Sequence, residues 1–224
     1  MFFTYASLLM LLCALVGFAP TFFLRPVYYA TPLPGLLIAH GIAMTAWFVV
    51  LPVQSYLAET RRIRWHRPLG WASVAIAALV VLTSPPVLMH SVPHGLAKGL
   101  PGFAVSFVFM TGVLRMVFFV AMVGAAIWWR RQRTVHARAL FLASLSNLAP
   151  ALARVAEGQG WNPVPIAFVY LIPFGLALVR HDRRVLKRTH RLTGYGMAAN
   201  VLILLIPIAL LFAGATSVIV ASVY

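Results

Sequence analysis

Seven long apolar runs dominate this sequence and constrain its fold more than any other feature. A helix needs about 20 apolar residues to cross the hydrocarbon core of a bilayer. Inside that core the backbone must satisfy its own hydrogen bonds, and runs of this length do so as helices. We therefore predict an all-α, polytopic transmembrane bundle with about seven spans. The runs lie near residues 2–24, 35–57, 69–89, 104–129, 138–156, 164–180 and 196–220.

The fifth of these runs has the weakest apolar signal. Ser144, Ser146, Asn147, Pro150 and Arg154 interrupt it, so an alternative is six spans with a re-entrant segment. The first run has no basic residues before it and is long for the core of a signal sequence, which predicts a retained helix. Residues 1–224 are expected to form a single transmembrane domain.

The basic residues set the orientation of the bundle. The formal net charge is +15, yet 62% of the residues are hydrophobic and only 9% are charged, whereas soluble domains carry about 25% charged residues. A soluble, nucleic-acid-binding protein is therefore excluded. Every second loop is basic, as cytoplasmic loops are. The basic residues are Arg61, Arg62, Arg64 and Arg67; Arg130, Arg131, Arg133 and Arg138; and Arg180, Arg183, Arg184, Lys187, Arg188 and Arg191.

This pattern predicts a multipass protein of the bacterial inner (cytoplasmic) membrane with its N-terminus inside. The basic face should attract anionic lipids by about 1 kcal/mol per charge. An acidic protein partner or a second copy of the chain would also suit this face.

A short echo recurs in the three basic loops. His66-Arg67-Pro68-Leu69-Gly70-Trp71 resembles His190-Arg191-Leu192-Thr193-Gly194-Tyr195, and His136-Ala137-Arg138 is a fainter copy. The predicted topology puts the three histidines on one side at similar depth. Neutral imidazoles bind Zn, Cu or Fe, and three of them leave a coordination position open. His66, His136 and His190, with Asp182 as a further ligand, are therefore a candidate metal site; the alternative is that they anchor the helices at the interface.

A second candidate site lies inside the predicted spans. His40, Trp47 and Gln54 recur at intervals of seven on one helix face, and an inward His40 could bind haem b. The second haem ligand would be His90 or His94, at or beyond the outer end of the third span, if that outer loop folds inward. The alternative for His40 is an interhelical hydrogen bond. Arg115 lies near the middle of the fourth run, where an unpaired charge costs at least about 2.5 to 3.5 kcal/mol. We expect Arg115 to meet an anionic group of a cofactor or ligand, or else a polar network that holds the helices together.

One wider pattern covers most of the chain: His40-Gly41, Trp47, Gln54, Arg62 and His66-Arg67-Pro68-Leu69-Gly70, followed by Arg131, His136-Ala137-Arg138, Arg184 and His190. It resembles a family of uncharacterised bacterial multipass membrane proteins, from which no activity carries over. The intramembrane histidine and the basic turns also have a vaguer likeness to cytochrome b561-type haem bundles, which implies haem as a cofactor.

Two classes of function follow. One is a metal- or haem-binding membrane redox protein, which as an enzyme would be an oxidoreductase acting on a hydrophobic or membrane-embedded substrate. The other is a non-catalytic accessory subunit or lipid-binding bundle with a basic cytoplasmic docking face. The last apolar run has no lysine for a retinal Schiff base, and no phosphate-binding loop or G-x-S-x-G motif is present, which argues against a rhodopsin, an ATP-driven pump and a lipase-type hydrolase.

Overall fold

The computed structural model describes residues 1–213, apart from the side chains of Pro163 and Ala167. Across this part of the chain, seven helices are long and apolar enough to cross a membrane, which confirms the predicted polytopic bundle. The spans are Phe2–Phe23, Gly35–Glu59, Ile63–Ala97, Gly102–Trp128, Arg133–Gly158, Val164–Leu186 and Arg191–Phe212. The final part of the predicted seventh run, residues 214–220, lies outside the described residues.

The described residues form ten α-helices and one π-helical turn, and all of them except the short helix Arg25–Tyr28 belong to the spans. The π turn, Ala19–Phe23, extends the first helix. The α-helices are α1 (Phe2–Phe18), α2 (Arg25–Tyr28), α3 (Gly35–Glu59), α4 (Ile63–Ala97), α5 (Gly102–Trp128), α6 (Arg133–Ser146), α7 (Ala149–Gly158), α8 (Pro163–Val169), α9 (Leu171–Leu186) and α10 (Arg191–Phe212).

Helix α4 is much longer than the predicted third span. It begins six residues before residue 69 and continues past residue 89 to Ala97, although Pro85 and Pro86 lie within it. Prolines are tolerated in membrane helices where side chains and neighbouring helices satisfy the freed backbone groups. His90 and His94 are therefore helical residues and do not lie in a loop.

The weak apolar signal of the fifth span is explained by its buried position in the bundle. It is the most buried of the seven spans in the described residues, and α6 packs against α1, α5 and α10. Its Ser144 and Ser146 are buried and therefore face protein and not lipid, as polar groups in membrane helices usually do. The span is broken into α6 and α7 at Asn147 and Leu148.

The three basic turns lie at one end of the bundle, which we call the basic end: residues 60–62, 129–132 and 187–190. His66, which follows the first turn, is close to His136, which follows the second. A buried ion pair joins Arg138 of α6 to Asp182 of α9. The N-terminus is at the same end, because Glu59 accepts hydrogen bonds from the backbone of Phe3 and Thr4.

Candidate functional site

Two of the three echoed histidines are neighbours at the basic end. His66 lies in the first turns of α4 and His136 in the first turn of α6. Their ring centroids are 6.3 Å apart and the ring planes are 81° from parallel. Both side chains are half-buried, so the pair borders the bundle interior while staying reachable from the basic end.

Each of these imidazoles bonds to the helix that precedes its own. His66 Nδ1 lies 3.3 Å from the carbonyl oxygen of Gln54 in α3, and His136 Nδ1 lies 2.9 Å from that of Ala126 in α5. Ala126 is in the last turn of α5, where carbonyls have no partner within the helix. The echo therefore has a structural role, because each histidine closes a helical hairpin.

The same hydrogen bonds fix the tautomer of both rings. A carbonyl oxygen can only accept, so Nδ1 carries the hydrogen in each neutral imidazole and Nε2 keeps its lone pair. A backbone carbonyl that orients Nδ1–H is the usual outer partner of a metal-binding histidine. His66 and His136 thus both present the nitrogen form that binds metal ions.

Gln54 adds an unsatisfied oxygen beside His66. Its amide nitrogen donates to the carbonyl of His66 at 3.2 Å and to the hydroxyl of Ser73 at 3.3 Å. Its Oε1 is buried and has no hydrogen-bond partner among the described residues. Buried polar atoms are nearly always paired, so an unpaired amide oxygen next to the histidine pair indicates a missing donor or cation.

His190 and Asp182 have other partners. Asp182 is fully buried and accepts from Arg138, from the Thr193 hydroxyl at 2.7 Å and from the His190 backbone N–H at 2.9 Å. His190 Nδ1 accepts from the Leu192 backbone N–H at 3.1 Å and so caps α10. The neutral ring therefore carries its hydrogen on Nε2, and burial lowers the pKa of this imidazole.

Across residues 1–213, no group of three or more His, Cys, Asp or Glu side chains is placed to hold a metal ion. The structure brings together His66 and His136 from the predicted set, with Gln54 from the second predicted set. It places Asp182 and His190 in an ionic network that ties α6, α9 and α10 together.

His40 lies nearer the opposite end of α3 and bonds to α4. Its Nδ1 lies 2.9 Å from Thr83 Oγ1, and that hydroxyl donates to the Leu79 carbonyl at 2.7 Å. Nδ1 therefore carries the hydrogen here too. The outer histidines of α4 stack on each other at 5.8 Å, but His90 lies seven residues beyond Thr83, which is about 10 Å along the helix. A second axial haem ligand is thus not at the level of His40, and the described residues do not assemble a bis-histidine haem site.

Trp47 and Arg115 lie deeper in the bundle. Trp47 Nε1 donates to Ser144 Oγ at 3.0 Å, and its ring packs edge-on against Phe119 at 5.0 Å. Arg115 lies one helical turn from Phe119 on α5 and in the neighbourhood of Tyr170. The Tyr170 hydroxyl donates to the Leu145 carbonyl at 3.2 Å.

The roles of three residues were not predicted from the sequence: Arg138 is the ion-pair partner of Asp182, and Ser146 and Tyr170 are polar residues at the depth of Arg115. Arg138 is 2% exposed and pairs with a residue 44 positions away. No spacing rule connects such distant positions. Ser146 was visible only as a polar interruption of the fifth run.

Comparison of the chain with protein-family models, with curated proteins and with solved structures finds no match.

Proposed function

We propose that this integral membrane protein binds a transition-metal ion through His66 and His136, and that the metal serves redox or enzymatic chemistry on a hydrophobic, membrane-embedded substrate. The observation that carries the proposal is the matched tautomer of the two rings: both Nδ1 atoms face backbone carbonyls, which leaves both Nε2 lone pairs to a ligand.

The spacing of the rings suits a shared ion. With metal–nitrogen distances of about 2.0 to 2.1 Å, two ligating imidazoles have centroids about 5 to 6 Å apart, depending on the angle at the metal. The observed separation, 6.3 Å, is slightly above this range, so the two rings would have to move a little closer together to share an ion. The Oε1 of Gln54 is a further oxygen donor in the same region, and Zn, Cu and Fe all accept imidazole ligands. Two protein nitrogens leave positions at which water or substrate can bind, and a bound metal would supply Lewis acidity or electron transfer.

Haem is not part of this proposal, because the second axial ligand is missing at the level of His40. The cellular location follows from charge: the positive-inside pattern favours the bacterial cytoplasmic membrane with the basic end in the cytoplasm.

Metal content of the purified protein tests the proposal. The chain should be produced with a tag that contains no histidine, purified in detergent and analysed by elemental mass spectrometry and absorption spectroscopy. We expect one equivalent of Zn, Cu or Fe. His66→Ala and His136→Ala should each lower occupancy at least tenfold, whereas His94→Ala, which removes an outer histidine from the other ring pair, should not.

Two results would contradict the proposal. One is the absence of stoichiometric metal from protein that was grown and purified with added metal. The other is full occupancy in the His66→Ala His136→Ala double variant, which would move the site to the outer histidines.

A second function, lipid binding, is favoured by a groove along α9. It is an open groove of about 560 Å³. Its wall is apolar and its basic-end rim carries Arg180 and Arg184, spaced one helical turn apart. Such a surface fits an anionic phospholipid, with the chain along the wall and the phosphate at the arginines. The lining residues are Phe2, Pro173, Leu176, Ala177, Arg180, His181 and Arg184.

Native mass spectrometry of the detergent-purified protein distinguishes this function from the first. Phosphatidylglycerol should stay bound where phosphatidylcholine does not, and Arg180→Gln Arg184→Gln should remove that preference. The matched control is Arg130→Gln Arg131→Gln, which deletes the same charge from another turn. Equal retention of both lipids by the unaltered protein would rule out a specific anionic-lipid site.

A further inference from the structure

Arg115 lies on the inward face of α5. Its neighbours one turn away on either side, Thr111 and Phe119, are each 1% exposed. Residues four apart lie on the same helix face, so the Arg115 side chain points the same way as these two. Yet Arg115 itself is only partly buried. Arg115 therefore lies on the buried face of α5 while its side chain remains partly accessible.

The charge of Arg115 has no carboxylate partner in the described part of the chain. The protein has three acidic residues. Glu59 pairs with the N-terminus and Asp182 with Arg138, both at the basic end. Glu157 is exposed at the far end of α7. A charge at the bilayer centre costs at least about 2.5 to 3.5 kcal/mol, so a function that needs this cation is expected.

Polar groups of neighbouring helices lie at the same depth as Arg115. Arg115 stands 13 residues before the end of α5 at Trp128, and Ser146 stands 13 residues after the start of α6 at Arg133. Both are thus about 20 Å along their helices from the basic end. Ser146 is 2% exposed, and its hydroxyl is buried without a partner. The helix break at Asn147 and the Tyr170 hydroxyl lie at this depth too.

We propose that Arg115 binds the carboxylate of a membrane-dissolved monocarboxylic amphiphile, such as a long-chain fatty acid, with the Ser146 hydroxyl as a second donor. One guanidinium balances one carboxylate, and the two groups form paired, charge-assisted hydrogen bonds. A phospholipid phosphate does not suit this depth, because headgroups lie about 15 Å from the bilayer midplane. The apolar tail allows such a ligand to enter the bundle from the hydrocarbon core of the bilayer. This site lies about 15 Å in depth from the histidine pair and does not depend on the proposed metal.

The test uses the full chain, oleate and methyl oleate, which share a tail and differ in charge. Native mass spectrometry of protein released from detergent micelles counts the bound molecules. We expect one oleate per chain and no retained methyl oleate. Arg115→Gln should weaken oleate binding roughly ten- to hundredfold, as the loss of a charge-assisted hydrogen bond does. Arg130→Gln, which removes an exposed cation, should bind as the unaltered protein does.

Two further variants keep the test decisive if Arg115→Gln fails to fold. Arg115→Lys retains the charge without the paired geometry and should bind oleate with intermediate affinity, and Ser146→Ala should weaken binding several-fold. Equal retention of oleate and methyl oleate, or unchanged oleate binding in Arg115→Lys and Ser146→Ala together, would overturn the proposal. Neither result bears on metal occupancy at His66 and His136.

Discussion

The carboxylate of Asp182 is the residue-scale feature with the largest expected effect on stability. Arg138, Thr193 and the His190 backbone N–H all donate to it from two other parts of the chain. Asp182→Asn would leave the Arg138 guanidinium buried without a counter-charge, and breaking a buried pair in this way costs about 3 to 5 kcal/mol. We expect a large drop in the melting temperature of the detergent-purified protein.

Two controls separate this effect from a general loss of charge. Glu157→Gln makes the same chemical change at an exposed position and should leave the melting temperature unchanged. Arg138→Leu Asp182→Leu removes both charges and should recover part of the loss, because no buried charge is left unpaired, although the Thr193 hydroxyl and the His190 N–H lose their acceptor. If the melting temperature of Asp182→Asn equals that of the unaltered protein, the ion pair does not hold α6, α9 and α10 together.

Residue roles could be predicted from the sequence only where a local pattern was present. The echo indicated that His66 and His136 share a level, and the structure places their rings together. The same echo included His190, yet its Nδ1 accepts from Leu192, because a histidine immediately before a helix can cap it. Asp182 was grouped with the histidines by position in the chain, whereas its partner, Arg138, is selected by tertiary packing.

At the scale of helices, α1 and α7 cross closely at Gly17. A Cβ added to Gly17 would overlap the backbone carbonyl of Ala151, and small residues of this kind let membrane helices approach. Gly17→Ala should therefore push α1 away from α7 and lower stability by about 1 to 3 kcal/mol, as overpacking does. The melting temperature of the purified variant measures this.

Gly124→Ala is the matched control for this contact. Nothing lies within 4 Å of a Cβ placed there, and alanine is the better helix former, so stability should hold or rise slightly. Equal melting temperatures for the two variants would show that the helices do not need the glycine to pack.

The existence of the helices was predictable, but their ends and breaks were not. Hydropathy finds the apolar part of each span, and it placed α3 and α5 within a few residues. It could not extend α4 to Ala97, because Pro85, Pro86 and Pro93 are helix breakers in the absence of neighbouring helices. It also undervalued the fifth span, in which Ser144 and Ser146 are buried against other helices.

For the whole molecule, the central prediction is that all three basic turns face the cytoplasm. The structure places them at one end of the bundle, and the excess of Lys and Arg there orients that end inward. Cys13 is the only cysteine, so Cys13→Ala provides a background free of thiols. Single cysteines can then be introduced at exposed positions of the basic turns: Arg62→Cys, Arg131→Cys and Arg188→Cys.

An impermeant maleimide should leave these three variants unlabelled in intact cells and label them after permeabilisation. Lys98→Cys and Gln159→Cys, exposed at the opposite end, should be labelled in intact cells. If all five variants showed the opposite labelling, the basic end would face outward, against the positive-inside rule. If only one of Arg62→Cys and Arg131→Cys were labelled in intact cells, the first two basic turns would lie on opposite sides of the membrane. His66 and His136 could then not be neighbours, and the proposed metal site would be ruled out.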